Sequence, residues 1–158
     1  MQGQFLLAML QACKAEGIHT AVDTSGILIP DRELLENILS TADCIILDVK
    51  GTNPEQYQQL TGRKSYDLPG FLELINKLDK KIWLRYVMIP GINDRPEDVK
   101  ALQKIMAEVQ HLVKLEVLPF HQAGHFKYEE LGITYPLAGH PEMDARKARQ
   151  IQKQLTGA

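Results

Sequence analysis

Apolar residues recur along the chain with two different periods. Spacings of three and four residues predict helices, beginning near Phe5, Pro30, Pro54, Phe71, Asp94-Pro96 and Pro141. Short apolar runs between turn residues predict four strands, at His19–Val22, Cys44–Leu47, Ile82–Ile89 and Lys114–Leu118. Because strands alternate with helices, parallel strands with right-handed crossovers are expected. The pattern predicts an α/β fold in a single domain, residues 1–158.

Three finer predictions concern the first and last parts of the chain. The spacing of Phe5, Leu6, Met9, Leu10 and Cys13 predicts that these side chains form the buried face of the first helix. The segment 122–140 contains scattered Gly, Pro and His, and we expect it to be irregular. Pro141 is a suitable first residue for the last helix, since its fixed φ suits that position.

Polar residues stand at the end of every predicted strand or inside it. In strand order they are Asp23 and Thr24, then Asp48 and Lys50, then Arg85 and Tyr86 with Asn93 and Asp94 after them, and finally His121. Active sites of parallel α/β folds lie at the carboxyl ends of the strands. We therefore expect these side chains to converge at one end of a curled sheet, with Asp94 also suited to cap the helix that follows.

Each of these residues also suits a purely structural role. Asp23 belongs to an Asp-Thr-Ser-Gly run that is good turn chemistry. Asp48 and Lys50 fit a surface ion pair, and Arg85 fits a charge paired inside a barrel. His121 alone fits a structural histidine. The convergence of all four strands favours a functional site over these separate explanations.

Two carboxylates at one end of a sheet have a physical consequence. If Asp23 and Asp48 lie close together they repel, so a cation, a ligand ammonium or Lys50 must offset the repulsion. Oxygen ligands of this kind suit a hard cation. Two acids, a lysine and a histidine together suit a zwitterionic, nucleoside-like ligand. No serine or cysteine stands in a recognisable nucleophile context.

Composition and charge exclude several classes of protein. The formal net charge is −2, which argues against nucleic-acid binding through a basic surface. No apolar run reaches the length of a membrane helix. The two cysteines, Cys13 and Cys44, form neither a CxxC pair nor a disulfide framework. Reduced thiols of this kind indicate a cytoplasmic protein.

Four stretches in this order resemble the pyruvate formate-lyase activating enzymes, which are radical S-adenosylmethionine (SAM) proteins that install a glycyl radical on a partner enzyme. The stretches are Glu16–Gly26, Ile45–Lys50, Ile82–Gly91 and Leu115–His121. The resemblance implies a partial parallel barrel of six strand–helix units, of which this chain would supply about four. It also implies a partner such as pyruvate formate-lyase.

The resemblance assigns roles to particular residues. Asp23, Thr24, the main chain of Ile46, and Asp48 would hold a monovalent cation beside the SAM carboxylate. Asp48 would also lie near SAM, and Lys50 would contact its carboxylate. His121 would lie against the adenine and Arg85 near the substrate peptide.

The family's cluster-binding motif has no counterpart in this sequence. Members carry C-x3-C-x2-C, whose thiolates hold a [4Fe–4S] cluster, and a glycine motif that grips the SAM amino group. The 158 residues contain neither motif. We expect the chain to be the C-terminal part of an activase that lacks the first strand units. On its own, this chain should be catalytically inactive. The alternative is a free-standing SAM- or partner-binding module, or one piece of a split activase.

A missing pair of strands would also leave the strand His19–Val22 as an open sheet edge. Unpaired backbone groups on such an edge invite association with another chain. We therefore expect self-association of this chain through the edge of the partial barrel.

Overall fold

The computed structural model describes residues 2–157. The helices are α1 Gly3–Ala15, α2 Arg32–Thr41, α3 Pro54–Thr61, α4 Leu68–Lys77, α5 Pro96–Glu108, α6 His125–Glu130 and α7 Ala145–Thr156. The strands are β1 Ala21–Thr24, β2 Cys44–Asp48, β3 Lys81–Met88 and β4 Leu112–Pro119. A 3-10 helix, Gln122–Gly124, follows β4. Over the described range no helix combines the length and the apolar character needed to cross a membrane.

The four strands form one parallel sheet in the order β1-β2-β3-β4. Each strand pairs with the next one along the chain, and at least one helix lies between them in the sequence. This arrangement confirms the predicted α/β fold with about four parallel strands. β1 and β4 are the two edges of the sheet.

The hydrophobic core lies between the helices and one face of the sheet. Alternate residues of the strands supply that face, since successive side chains of a strand point to opposite sides. The fully buried members from β2 and β3 are Ile45, Leu47, Ile82, Leu84, Tyr86 and Met88. Phe71 and Ile75 of α4 pack against them, also without exposure. The opposite face of the sheet is less buried and carries the charged residues described below.

Two helices that follow the strands begin at short polar caps. The Asp31 carboxylate accepts a hydrogen bond from the amide of Leu34 at the start of α2, over 2.9 Å. The Asn53 side chain accepts one from the amide of Gln56 at the start of α3. Such caps satisfy amides that have no partner within the helix. They fix where each chain segment turns away from the carboxyl end of the sheet.

Three sequence predictions about helix limits are wrong. The residue that caps α5 is Arg95, in extended conformation, and not Asp94. Helix α7 begins at Ala145 after the cap Asp144, whose carboxylate accepts from the amide of Arg146; the earlier proline is outside the helix. The segment 122–140 is not wholly irregular, because it contains a 3-10 helix and α6.

The predicted buried face of α1 is confirmed only in part. Phe5 is 66% exposed and Met9 46% exposed, whereas Leu10 is buried and Cys13 half-buried. Helix α1 packs against α2 along a side that includes Gly3. A Cβ at Gly3 would lie 2.8 Å from the side chain of Leu34, so the glycine allows the two helices to approach closely.

Candidate functional site

The charged face of the sheet, called the open face below, is built by the other set of alternate strand residues. Parallel register places one row of its side chains across all four strands: Asp23, Ile46, Trp83 and Lys114. The next row toward the carboxyl end contains Asp48, Arg85 and Glu116. Residues in one row point the same way and lie about 4.8 Å apart at their Cα atoms. Long side chains on neighbouring strands can therefore reach each other.

Arg85 joins the two predicted carboxylates. Its Nε donates to Asp48 Oδ1 over 2.9 Å, and its Nη2 donates to Asp23 Oδ2 over 2.6 Å. Hydrogen bonding to Asp48 is the main cause that raises the pKa of Arg85 above its usual value. Asp48 is the better shielded partner, with 18% of its side chain exposed against 54% for Asp23. A guanidinium therefore bridges β1 and β2 from β3.

Lys50 completes the group of charges. Its Nζ lies 3.0 Å from Asp48 Oδ2, so both oxygens of Asp48 are paired. Two carboxylates, one ammonium and one guanidinium sum to zero charge. The repulsion that the sequence implied between Asp23 and Asp48 is thus offset by Lys50 and Arg85. We call these four residues, Asp23, Asp48, Lys50 and Arg85, the charge quartet.

The two remaining predicted cation ligands lie beside the charge quartet. The Thr24 hydroxyl accepts a hydrogen bond from the amide of Gly26 over 3.2 Å. Ile46 is paired in register with β1 and β3 and lies between Asp23 and Trp83. A main-chain carbonyl inside a ladder already has one partner, but it has a second lone pair. Thr24 and Ile46 would each have to share an oxygen that is already in use.

His121 lies in an exposed position after the end of β4. Its Nδ1 accepts a hydrogen bond from the amide of Ala123 over 3.3 Å, which caps the 3-10 helix. Within residues 2–157 no hydrogen bond or ion pair joins His121 to the charge quartet. Its ring is oriented by this cap, which is the structural role that the sequence left open.

Three of the polar residues expected to converge do not join the charge quartet. Tyr86 is fully buried on the helix-covered face, and its hydroxyl donates to the carbonyl of Asn93 over 3.0 Å. Asn93 is 1% exposed. Its side-chain oxygen accepts a hydrogen bond from the amide of Ile89, and its side-chain nitrogen donates one to the carbonyl of Val87. Asp94 accepts from the amide of Gly91 and from Lys147. These residues stabilise the turn after β3.

Sequence reasoning assigned no role to three residues of the open face, which are Trp83, Lys114 and Glu116. The Lys114 ammonium lies 3.8 Å from the centre of the Trp83 ring and 3.4 Å from Glu116 Oε1. The spacing along the strands could have identified them. Trp83 and Arg85 are two residues apart on β3, and Lys114 and Glu116 are two residues apart on β4. Residues at that spacing in a strand share a face.

The described cysteines do not fit an iron–sulfur cluster. Cys13 lies in α1, and Cys44 is the first residue of β2, at the end of the strand opposite Asp48. No group of three or more His, Cys, Asp or Glu side chains among residues 2–157 is placed to hold a metal ion. We therefore derive no chemical step through a cluster. Lys50 and the half-exposed Asp23 each present a charged group to solvent.

The charge quartet is partly open to solvent and does not line the cavity described next. One cavity of about 450 Å³ lies between the end of α3 and the segment after β4, and its lining includes Leu60, Ile92, Tyr128 and Tyr135. Tyr128 and Tyr135 stack with ring centres 4.7 Å apart. None of the four residues of the charge quartet lines this cavity.

Comparison with known proteins supports the resemblance found in the sequence. Residues 1–102 match the model of the radical SAM superfamily. The pyruvate formate-lyase-activating enzyme of Clostridium pasteurianum is 34% identical over 155 residues, which cover 98% of this chain and 64% of that protein. The pyruvate formate-lyase 1-activating enzyme of Escherichia coli (strain K12) is 32% identical over 139 residues, covering 88% and 56%.

Solved structures share the same fold. A domain of a pyruvate-formate lyase-activating enzyme from Bacteroides vulgatus superposes with a TM-score of 0.74 at 20% identity, covering 98% of this chain and 86% of that one. Streptococcus suis SuiB bound to S-adenosylmethionine gives a TM-score of 0.58 at 17% identity, covering 80% and 30%. The chain spans less than two thirds of the length of the curated relatives it matches. By sequence pattern, sheet topology and family match, the chain belongs to the radical SAM superfamily.

Proposed function

We propose that this chain is the SAM- and substrate-binding part of an activase that installs a glycyl radical on pyruvate formate-lyase or a related enzyme. The observation that carries the proposal is the charge quartet at the carboxyl end of a parallel sheet. Arg85, Asp48 and Asp23 are joined there across three strands. The similarity to activating enzymes along most of the chain supports the same assignment.

The proposed roles follow the charges of the site. The Lys50 ammonium, which is 38% exposed, binds the carboxylate of SAM. Asp48 orients Lys50 and lies near SAM, and His121 lies against the adenine. Asp23, Thr24, the carbonyl of Ile46, and Asp48 hold a monovalent cation, and Arg85 contacts the substrate peptide. Cys13 and Cys44 do not supply the thiolates that a [4Fe–4S] cluster would need, so the residues described here are assigned binding and orientation only.

One observation favours a second candidate function. The two cysteines lie in α1 and at the amino end of β2, and they do not fit a cluster. A chain with this site but without its own thiolates could act as a free-standing SAM- or partner-binding module, or as one piece of a split activase. The part of an activase and the SAM-binding module both predict SAM binding. One piece of a split activase also predicts activation of a partner enzyme, but only after the piece that holds the cluster is added.

Calorimetric titration with SAM tests the binding role. We expect saturable binding that strengthens when potassium replaces choline at constant ionic strength. Asp48→Ala should abolish it, because the variant removes the partner of Lys50 and one proposed cation ligand. Glu73→Gln, which removes a carboxylate from the solvent face of α4, is the matched control and should bind as the parent does. No binding at millimolar SAM by the folded parent chain would refute the proposal.

We propose further that the chain associates with itself through the edge strand β1, and that it works in the cytoplasm. At the other edge, the amide of Val117 in β4 donates to Gln152 of α7 over 2.8 Å, which blocks part of that edge. The free thiols Cys13 and Cys44 support a reducing compartment.

Light scattering should show a mass that rises with micromolar concentration. Ala21→Pro should reduce it, because the Thr20 carbonyl accepts a hydrogen bond from the amide of Cys44 in β2 and the alternation along a parallel strand then turns the Ala21 amide toward the open edge. A concentration-independent monomer would refute the association.

A further inference from the structure

Arg85 has a carboxylate on each side along its row of the sheet. Asp48 on β2 and Glu116 on β4 are both in register with it. The guanidinium is bonded to Asp48 and Asp23. Glu116 instead faces Lys114 at 3.4 Å, which is long for a charge-assisted hydrogen bond. A second, weakly engaged carboxylate is therefore placed beside a bridging arginine.

We propose that Arg85 is a displaceable internal counter-ion with two positions. In the first it bridges Asp23 and Asp48; in the second it pairs with Glu116. A monovalent cation or a ligand ammonium that enters between Asp23 and Asp48 drives the change. The inference rests on the proposed function, because it concerns the same cation- and SAM-binding site, and it adds Glu116 as a positioning residue.

The two occupants exclude each other for electrostatic reasons. The guanidinium uses Asp48 Oδ1 and Asp23 Oδ2, one oxygen from each of the two carboxylates that would hold the cation. A second positive charge about 4 Å from the guanidinium would be repelled by about 1 kcal/mol in water, and by about 4 kcal/mol at an effective dielectric constant of 20. Cation binding is therefore weakened while Arg85 bridges the two carboxylates, and it strengthens when Arg85 leaves.

The surroundings of Glu116 allow it to receive the guanidinium. Adjacent strands are about 4.8 Å apart, which is within the reach of an arginine side chain. Glu116 is partly shielded, with 30% of its side chain exposed. Lys114 keeps a partner when Glu116 turns to Arg85, because its ammonium also lies 3.8 Å from the centre of the Trp83 ring, a cation–π contact. The move gives up the pairs of Arg85 with Asp23 and Asp48, whose carboxylates the entering cation takes over, and it forms one pair with Glu116.

Potassium titration of the chain by calorimetry tests the inference, with choline chloride keeping the ionic strength constant. Arg85→Gln should bind potassium about tenfold tighter or more, because the competing charge is gone. Glu116→Gln should weaken binding by about threefold, because the second position is lost. In the Arg85→Gln background, Glu116→Gln should have no effect. Arg63→Gln and Glu73→Gln, two exposed charges elsewhere, are the controls for each type of substitution.

Two results would overturn the inference. One is potassium binding by folded Arg85→Gln that is no tighter than that of the parent. The other is an equal effect of Glu116→Gln in both backgrounds. If Arg85→Gln does not fold, the Nε–H resonance of Arg85 in the parent gives the same answer. It should shift with potassium chloride and not with choline chloride, and a resonance that stays in place refutes the displacement.

SAM titration of the same proteins separates this inference from the proposed function. If the potassium pattern holds and no variant binds SAM, the proposed function fails and the displacement of Arg85 stands. If SAM binds and the potassium pattern is absent, the proposed function stands and the displacement is refuted.

Discussion

The two faces of the sheet are made by neighbouring residues of the same strands, yet they differ in burial and in charge. Ile45, Leu47, Leu84 and Tyr86 are fully buried under the helices. One position away, Asp48 and its row carry charges that remain partly open to solvent. The helix-covered face holds the fold together through burial of apolar surface. The open face contributes less to stability and carries the charge quartet.

The contrast shows that strand side chains must be sorted by parity before roles are assigned. Arg85 and Tyr86 are adjacent on β3, and both were predicted from the sequence to point toward the same site. Only Arg85 reaches the open face, while the Tyr86 hydroxyl is buried, and burial raises the pKa of Tyr86. A residue's place in the alternation therefore outweighs its chemical type.

The largest expected effect comes from truncating side chains on the two faces at adjacent positions. Leu47→Ala should lower the free energy of unfolding by about 3 kcal/mol, because it leaves a cavity in the core. Ile46→Ala should cost about 1 kcal/mol, since Ile46 is only partly buried on the open face. Urea denaturation of both variants measures the difference. Equal losses would mean that the two faces are not distinct in packing.

A smaller effect is expected within the charge quartet. Double-mutant cycles that combine Arg85→Gln with Asp48→Asn or with Asp23→Asn isolate each pair. The coupling between Arg85 and Asp48 should be about 1 kcal/mol, and that between Arg85 and Asp23 only a few tenths, about 0.3 kcal/mol. The reason is exposure, 18% for Asp48 and 54% for Asp23. A coupling of Arg85 to Asp23 that is stronger than its coupling to Asp48 would show that exposure does not decide the strength of these two ion pairs.

The smallest expected effect concerns Asp94, which the sequence had grouped with the site. Partial burial raises the pKa of its carboxyl, but hydrogen bonds from Lys147 and the amide of Gly91 outweigh burial, and the net pKa is lowered. A lowered folded-state pKa gives stability that is complete above the unfolded value of about 3.9 and is lost as the pH falls through the folded value.

Asp94→Asn should therefore lower the free energy of unfolding by about 0.5 kcal/mol at neutral pH, a value discounted because Lys147 is 53% exposed. The difference from the parent should shrink as the pH falls through the lowered folded-state pKa of Asp94 and vanish where the parent carboxyl is protonated. Thermal unfolding from pH 2 to 7 follows it, with Lys147→Gln as the partner variant. A difference that persists at pH 2 would point to a role of Asp94 other than its charge.

Much of the fold follows from the sequence, because apolar runs and helical spacing report burial directly. All four strands were predicted to within a few residues, and Asp23, Asp48, Lys50 and Arg85 were correctly expected to converge. The contacts of α1 were missed because they depend on how closely Gly3 lets it approach α2.

Other parts of the site depend on pairing that one sequence does not contain. Glu116 was not found because its place beside Arg85 depends on the register between β3 and β4. A β-bulge near Ile82 and Trp83 shifts that register, so counting residues from the start of each strand would misplace it. His121 was found as a residue after β4, but its hydrogen bond to Ala123 follows from the local turn.

The zero net charge of the quartet has a consequence for how a ligand arrives. A cluster whose charges cancel over a few ångströms projects little field beyond a Debye length, which is about 8 Å at physiological ionic strength. Charged ligands are then not drawn in from a distance, and their association rate should vary little with salt concentration. Selection among ligands would occur only after contact, through the rate at which each one leaves.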